Sequence, residues 1–181
     1  MPPLFPHSNN SSTGSQLFCL GGFNENNLHT FSVSALNTTN NQWERVTEMT
    51  TPKAFFGAAV IEKKIYVCGG LTGSKALKLL EVYDCENDTW AELAPMPYYQ
   101  EGFGMTTLNG YVYVAGGSGK ISSVLKYSPG TNAWTEVKSM NEGRFNHELV
   151  TLHGAIYAIG GDDSKTVERY SSLIDQWEFV A

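Results

Sequence analysis

The chain repeats itself four times, and that repetition narrows the folds open to it. Gly-Gly pairs fall at Gly21/Gly22, Gly69/Gly70, Gly116/Gly117 and Gly160/Gly161, and the only four tryptophans follow in phase at Trp43, Trp90, Trp134 and Trp177. Between each pair and its tryptophan lies an ungapped block: VSALNTTNNQW, LEVYDCENDTW, VLKYSPGTNAW and VERYSSLIDQW. Each block opens on an aliphatic residue, and three carry tyrosine in fourth place (Tyr83, Tyr127, Tyr170), with Leu36 in the first. The register runs on past the tryptophans through Val46, Leu93, Val137 and Val180, then through Met49, Met96 and Met140. A period of about 45 residues marks stacked supersecondary units, each of which buries its apolar face only against a neighbour.

Each unit reads as four short strands, a to d. Strand a spans 57–61, 103–108 or 148–152, and strand b spans 65–68, 111–115 or 155–159 and ends at the glycine pair. The turns between them, Asn109-Gly110 and His153-Gly154, are of the X-Gly kind that closes two-residue hairpins. Strand c carries the aliphatic–X–X–Tyr pattern, and a polar turn leads to strand d at the tryptophan. No window shows a 3.6-residue period, so helix content is expected near zero. Four-stranded units at this period imply an all-β propeller, with wide aromatics filling the wedge between neighbouring sheets. The glycine pair supplies backbone angles or close approaches closed to other residues.

Composition removes several classes of function. Twelve Lys and Arg against eighteen Asp and Glu give a net charge of −6, which speaks against nucleic acid or an anionic membrane as partner. No run approaches the ~18 apolar residues of a membrane span. The opening stretch, MPPLFPHSNNSSTGS, has neither the basic nor the apolar region of a secretory signal and reads as a flexible Ser/Asn/Pro-rich tail over residues 1–15. Cys19, Cys68 and Cys85 are too few for a disulfide framework or a zinc site. Cys19 and Cys68 sit in apolar runs (LFCL, IYVC) and read as small core residues. A reducing, cytoplasmic setting is expected.

Catalytic constellations are missing from the pattern. His7, His29, His147 and His153 hold no metal-ligand spacing. Asp162 and Asp163 are adjacent and read as a solvated loop, not an acid/base pair, and GGSGK lacks the spacing of a phosphate loop. The expectation is a non-enzyme with no catalytic residue, cofactor or metal.

The combination aliphatic–Tyr–X–X–Gly-Gly, then Val–X–X–Tyr, then Trp, then Met, resembles the kelch repeat. The stretch MNEGRFNHELVTLHGAIYAIGGDDSKTVERYSSLIDQW is similar to a unit of animal BTB–kelch (kelch-like) proteins, and the likeness covers residues 17–181. It implies a partial kelch-type β-propeller of about four blades of four antiparallel strands over residues 16–181. The units are 16–50, which is incomplete, then 51–97, 98–141 and 142–181. Kelch propellers usually close with five to seven blades, so the chain reads as a fragment or isoform, with exposed faces at both ends of the array. The resemblance implies a protein-interaction module, foremost the substrate-recognition part of an adaptor for a cullin-RING ubiquitin ligase. Cullin would be reached only through a BTB domain, which these 181 residues do not contain. An actin-binding or cytoskeletal scaffold is the alternative, and a kelch-type copper oxidase a remote third.

In kelch propellers the b–c and d–a loops gather at one end and grip peptide segments of partner proteins. Carried onto this sequence, the residues after the glycine pairs are Phe23, Leu71, Ser118 and Asp162. The d–a segments contribute Lys53, Phe55, Tyr98, Tyr99, Gln100, Arg144 and Asn146. Tyr98 and Tyr99 lie outside the repeat register and suit an interaction surface, or one of them packs beneath the loop. Arg144 suits an acidic group of a partner or, alternatively, a structural salt bridge.

Overall fold

A computed structural model describes residues 16–118, 122–162 and 164–180; the expected tail, with His7, and Lys120 and Asp163 lie outside the described residues. The described residues form strands and turns with no helix, so no helix is long and apolar enough to cross a membrane. The chain divides into two compact units after Ala54.

The first unit is a three-stranded antiparallel sheet of β1 (Phe18–Leu20), β2 (Ser32–Asn37) and β3 (Gln42–Glu48), in that order, with a register shift between Val33 and Ser34. Leu36 faces Trp43 across the β2–β3 pair. Cys19 corrects an expectation: it is exposed. The two-residue period of a strand turns its side chain away from the side taken by its half-buried neighbours Phe18 and Leu20. Cys68 is buried, as its apolar run implies.

The second unit contains three four-stranded antiparallel sheets, each a propeller blade. The first is β4 (Gly57–Ile61), β5 (Lys64–Cys68), β8 (Leu80–Asp84) and β9 (Thr89–Leu93), with a short hairpin of β6 (Leu71–Thr72) and β7 (Lys75–Ala76) inserted in its b–c loop. The second is β10 (Phe103–Leu108), β11 (Tyr111–Gly116), β12 (Val124–Ser128) and β13 (Ala133–Val137). The third is β14 (Glu148–Leu152), β15 (Ala155–Ile159), β16 (Val167–Ser171) and β17 (Gln176–Phe179). Strands run in chain order across each of these blades. The Asn109-Gly110 and His153-Gly154 turns have φ values of 52° and 78°, and 49° and 75°, the left-handed pair that a two-residue hairpin requires.

Between neighbouring blades lie two apolar cores. One gathers Tyr66, Leu80, Met96, Phe103, Met105, Val114, Leu125 and Tyr127; the other gathers Leu108, Tyr113, Val124, Met140, Leu149, Ile156, Tyr170 and Trp177. Aromatics build both in the same way. On strands c and d, Tyr83 faces Trp90, Tyr127 faces Trp134 and Tyr170 faces Trp177, with ring centroids 5.2, 5.1 and 5.1 Å apart. Across the interfaces, Tyr66 meets Tyr127 at 6.2 Å and Tyr113 meets Tyr170 at 5.9 Å, tilted contacts favoured by the ring quadrupoles.

A polar lock repeats beside each core. The Trp134 indole N–H donates to the Ala94 carbonyl at 2.7 Å, while Asn132 Oδ1 accepts the Ala94 N–H at 2.8 Å. Trp177 and Asp175 hold Lys138 in the same way, at 2.9 Å each. The same side-chain oxygens also accept the hydroxyls of Tyr127 (2.8 Å) and Tyr170 (2.8 Å). Burial, the larger cause, and then the neighbouring Tyr66 push the Tyr127 phenol up to about 12, so it remains a donor at ordinary pH. Asn132 and Asp175 sit at φ 49°, a conformation that Asn and Asp tolerate better than most side chains.

At the inner edge β10 packs against both β4 and β14. Inner strands have unpaired edge groups, and threonines cover some of them: Thr107 Oγ1 donates to the Val60 carbonyl at 3.2 Å and Thr151 Oγ1 to the Thr107 carbonyl at 2.6 Å. The opposite face of the last blade leaves Val150, Leu152 and Ile159 exposed.

Asn132 tests the lock. Asn132→Gly keeps the left-handed turn and deletes the acceptor of two hydrogen bonds, so it should cost about 1–3 kcal/mol in urea denaturation. Asn132→Asp, which copies Asp175, should remain within about 0.5 kcal/mol of the parent.

Candidate protein-binding end

Antiparallel order decides which loops share an end. In the first complete blade Gly57, Cys68, Leu80 and Leu93 lie side by side across the sheet. The start of strand a, the end of b, the start of c and the end of d therefore coincide, which collects the d–a and b–c loops at one end. The other blades repeat this, with Phe103 beside Gly116 and Glu148 beside Ile159 and Val167.

Backbone hydrogen bonds stitch these loops together. Gly70 N–H donates to the Gln100 carbonyl and Gly117 N–H to the Arg144 carbonyl, both at 3.0 Å. Ser118 N–H reaches the Glu101 carbonyl at 3.1 Å, Asn146 N–H the Gly102 carbonyl at 2.7 Å and Asp162 N–H the Phe145 carbonyl at 2.8 Å. The glycine pair is needed for this closeness: a Cβ on Gly116, where φ is 71°, would lie 2.4 Å from the Arg144 carbonyl oxygen.

Of the residues expected to bind a partner, two belong to the scaffold instead. Gln100 and Arg144 are fully buried. Gln100 Nε2 donates to the Gly116 carbonyl at 3.0 Å, and Arg144 Nη1 does the same to the equivalent Gly160 carbonyl at 2.7 Å. Arg144 also donates to Ser164 Oγ, to the carbonyl and hydroxyl of Thr166 and to Glu142, and it forms an ion pair with Glu168 at 3.1 Å. Glu168 in turn accepts the backbone N–H groups of Asn141 and Glu142 at 2.7 and 3.0 Å. The structural salt bridge is thus the reading that holds for Arg144. Lys53, at the same register position, is also buried. Hydrogen bonds from Thr166 and Ser164, then the Arg144 charge, hold the Glu142 carboxyl below its usual range.

Tyr98 is half-buried against the core, whereas Tyr99 is 60% exposed with the Lys78 ammonium 5.2 Å from its ring centre. One tyrosine therefore packs under the loop and the other faces outward. Leu71 is half-buried in the β6–β7 hairpin. Phe23, in the first unit, is exposed with its ring 4.8 Å from that of His29. Ser118 and Asp162 are exposed, and the Asp162 carboxylate accepts Asn146 Nδ2 at 3.2 Å.

Phe55 and Asn146 come together at a recess of about 220 Å³, lined also by Glu101, Gly102 and Phe145. The last three had not been singled out from the sequence. For Gly102 a signal was available in the register: counting from Lys53, Gln100 and Arg144, the second residue on is Phe55, Gly102 or Asn146, with φ of 55°, 62° and 54°. Gly and Asn adopt that conformation readily; a bulky phenylalanine does not. Gly102 also makes room, since a Cβ there would lie 2.2 Å from the Phe145 ring.

His147 occupies the inner-strand place that Phe103 fills one blade earlier. Phe103 packs where a Cβ on Gly57 or Gly69 would fall 2.6 or 2.7 Å from its ring, and His147 stands likewise against Gly104 and Gly116. It is buried, and neither ring nitrogen has a hydrogen-bond partner among the described residues. Burial, and then the Arg144 charge, lower its pKa to about 4. No group of three or more His, Cys, Asp or Glu among the described residues could hold a metal ion.

Three blades of one repeat, their loops tied at a common end around a recess, define a propeller scaffold that presents a loop surface. The chain belongs to the kelch-repeat family: the KLHDC2/KLHL20/DRC7 Kelch-repeats domain matches residues 1–161, and the Kelch motif matches residues 143–181. It is 32% identical to Kelch-like protein 26 of Danio rerio over 151 residues, covering 76% of this chain and 25% of that protein. It is 30% identical to Kelch-like protein 36 of Bos taurus over 155 residues (77% and 25% covered). Against Kelch repeat and BTB domain-containing protein 1 of cowpox virus the identity is 27% over 187 residues, covering 96% of this chain and 33% of that protein. The chain thus spans about a quarter to a third of the length of these relatives.

Two outcomes follow for the buried groups. Arg144→Gln alone strands the Glu168 carboxylate and should cost about 3–5 kcal/mol in urea denaturation. Pairing it with Glu168→Leu copies the Gln100 and Leu125 combination of the preceding blade and should recover most of that loss. For His147, the unfolded chain binds a proton near pH 6.5 and the folded chain only near pH 4, so stability is retained above pH 6.5 and lost as pH falls towards 4. The loss should reach about 3 kcal/mol, and His147→Phe should flatten that part of the stability–pH curve.

Proposed function

We propose that this chain is a binding module, not a catalyst, and that its loop-bearing end grips a short segment of a partner protein. In the fuller reading it is the substrate-recognition part of a BTB–kelch adaptor of a cullin-RING ubiquitin ligase, working in the cytoplasm. The likeness to kelch-like proteins supports this, as does a relative whose own name joins kelch repeats to a BTB domain. The three free cysteines suit a reducing compartment.

One observation carries the binding reading. Phe55 is 57% exposed and held at φ 55°, in a register position that the next two blades give to Gly102 and Asn146. Left-handed backbone at a bulky residue costs on the order of 1–3 kcal/mol. Such cost concentrates where a side chain serves a ligand, and aromatics dominate the energetics of protein interfaces. Ser118, Asp162 and Asn146 surround the same loops and supply polar contacts to the bound segment; Tyr99 and Leu71 extend the proposed contact set, and Phe23 is a candidate contact of the first unit by itself.

Phe55→Gly separates fold from function. The variant should melt at the same temperature or higher, because glycine relieves the backbone. A partner captured by the parent chain should bind it at least tenfold more weakly. Joined to a BTB domain, the parent chain should recover a cullin and direct ubiquitin onto that partner. Capture of actin with no ubiquitin transfer would instead favour a cytoskeletal scaffold.

A further inference from the structure

The recess at the loop-bearing end has a chemistry of its own. Two of its five lining residues are phenylalanines, Phe55 and Phe145, and a third is Glu101. No cation is among the residues that line it, and the Glu101 carboxylate has no side-chain partner among the described residues. A second carboxylate, that of Asp162, stands at the rim through its contact with Asn146. In the b–c loop of the first complete blade, Lys75 lies on the β6–β7 hairpin and the Lys78 ammonium stands 5.2 Å from the Tyr99 ring centre.

Resting on the binding role proposed above, we propose that this recess receives an arginine side chain from the partner segment. The alternatives fit less well. An acidic anchor would meet Glu101 and Asp162 with like charge. A purely apolar anchor would satisfy Phe55 and Phe145 but would cover Glu101 while bringing it neither a positive charge nor a hydrogen-bond donor. An arginine answers both halves: its methylene stem and flat guanidinium lie along the phenylalanine rings, and its N–H groups meet a carboxylate. Lysine offers the charge but is more strongly hydrated and cannot stack, so arginine is preferred over it. The recess volume of about 220 Å³ is ample for one such side chain. This would make the partner segment basic, in keeping with the chain's net charge of −6.

The test uses the whole 181-residue chain, isotopically labelled, titrated with capped pentapeptides that differ only in a central arginine, lysine, leucine or glutamate between serines and glycines. The arginine peptide should shift the amide signals of Glu101, Gly102, Phe145 and Asn146, bind at least fivefold tighter than the leucine and glutamate peptides, and weaken as salt is raised. Glu101→Gln should lower its affinity at least fivefold, and Glu101→Lys should reverse the preference towards the glutamate peptide. A leucine peptide that binds as well as arginine, or a preference unchanged by Glu101→Lys, overturns the inference. If Phe55→Gly still abolishes capture of a partner while arginine shows no preference, the arginine inference fails and the binding role stands. If Phe55→Gly also leaves capture intact, both fail.

Discussion

The grip of the second and third complete blades on one residue of the blade before organises the second unit. Ala94 and Lys138 are each held at both polar groups, the carbonyl by an indole N–H and the N–H by an Asx side chain. Hydrophobic burial supplies adhesion between sheets but no register, since apolar faces slide. These directed contacts fix the sliding coordinate. They also explain why tyrosine, an Asx residue and tryptophan recur together: the turn needs a left-handed residue with an acceptor, the tyrosine hydroxyl fills that acceptor's remaining capacity, and the indole spans the gap. Losing the Asx side chain leaves a tyrosine hydroxyl and a backbone N–H unpaired, and losing the tryptophan leaves the backbone carbonyl without its donor.

The two ends of each blade consequently divide the labour. At the c–d turn end the repeat residues are committed to locking neighbours. At the opposite end the lock is lighter, made by the glycine pair and by a single long donor, Gln100 or Arg144, reaching the carbonyl of the first glycine. That leaves the adjoining positions, Glu101, Phe145, Asn146 and Asp162, free to differ from blade to blade while their backbones stay tied by hydrogen bonds. A surface of varied side chains on fixed backbone is what recognition without prior ordering requires.

How much of this was legible in the sequence follows from how far each feature reaches along the chain. The strands, their order and the aromatic wedge were readable because period-2 alternation and the Trp–Tyr spacing are local and repeated. The lock was half visible: tryptophan and tyrosine stood out, but Asn132 and Asp175 hid inside polar turns where Asn and Asp are ordinary. Arg144 was ambiguous because its burial depends on Glu168, a strand away, and Gln100 matched neither an acid nor a base. Cys19 misled because a run of apolar letters does not say which face of a three-residue strand is covered. The recess was out of reach, being assembled from three successive d–a segments, although the shared left-handed position was written in Phe55, Gly102 and Asn146.

The contrast between Gln100 and Arg144 shows what the repeat conserves. Both donate to the same carbonyl of the glycine pair, yet one is neutral beside an apolar Leu125 position and the other is a cation beside Glu168. Burying the charged pair therefore adds no contact that the neutral version lacks at that carbonyl, and desolvation offsets much of its Coulomb gain. What the Arg144 version adds is reach: five hydrogen bonds tie the d–a segment to the b–c loop and strand c of its blade. That internal ionic brace ties the segment that carries Phe145 and Asn146, at the edge of the recess, to the rest of its blade.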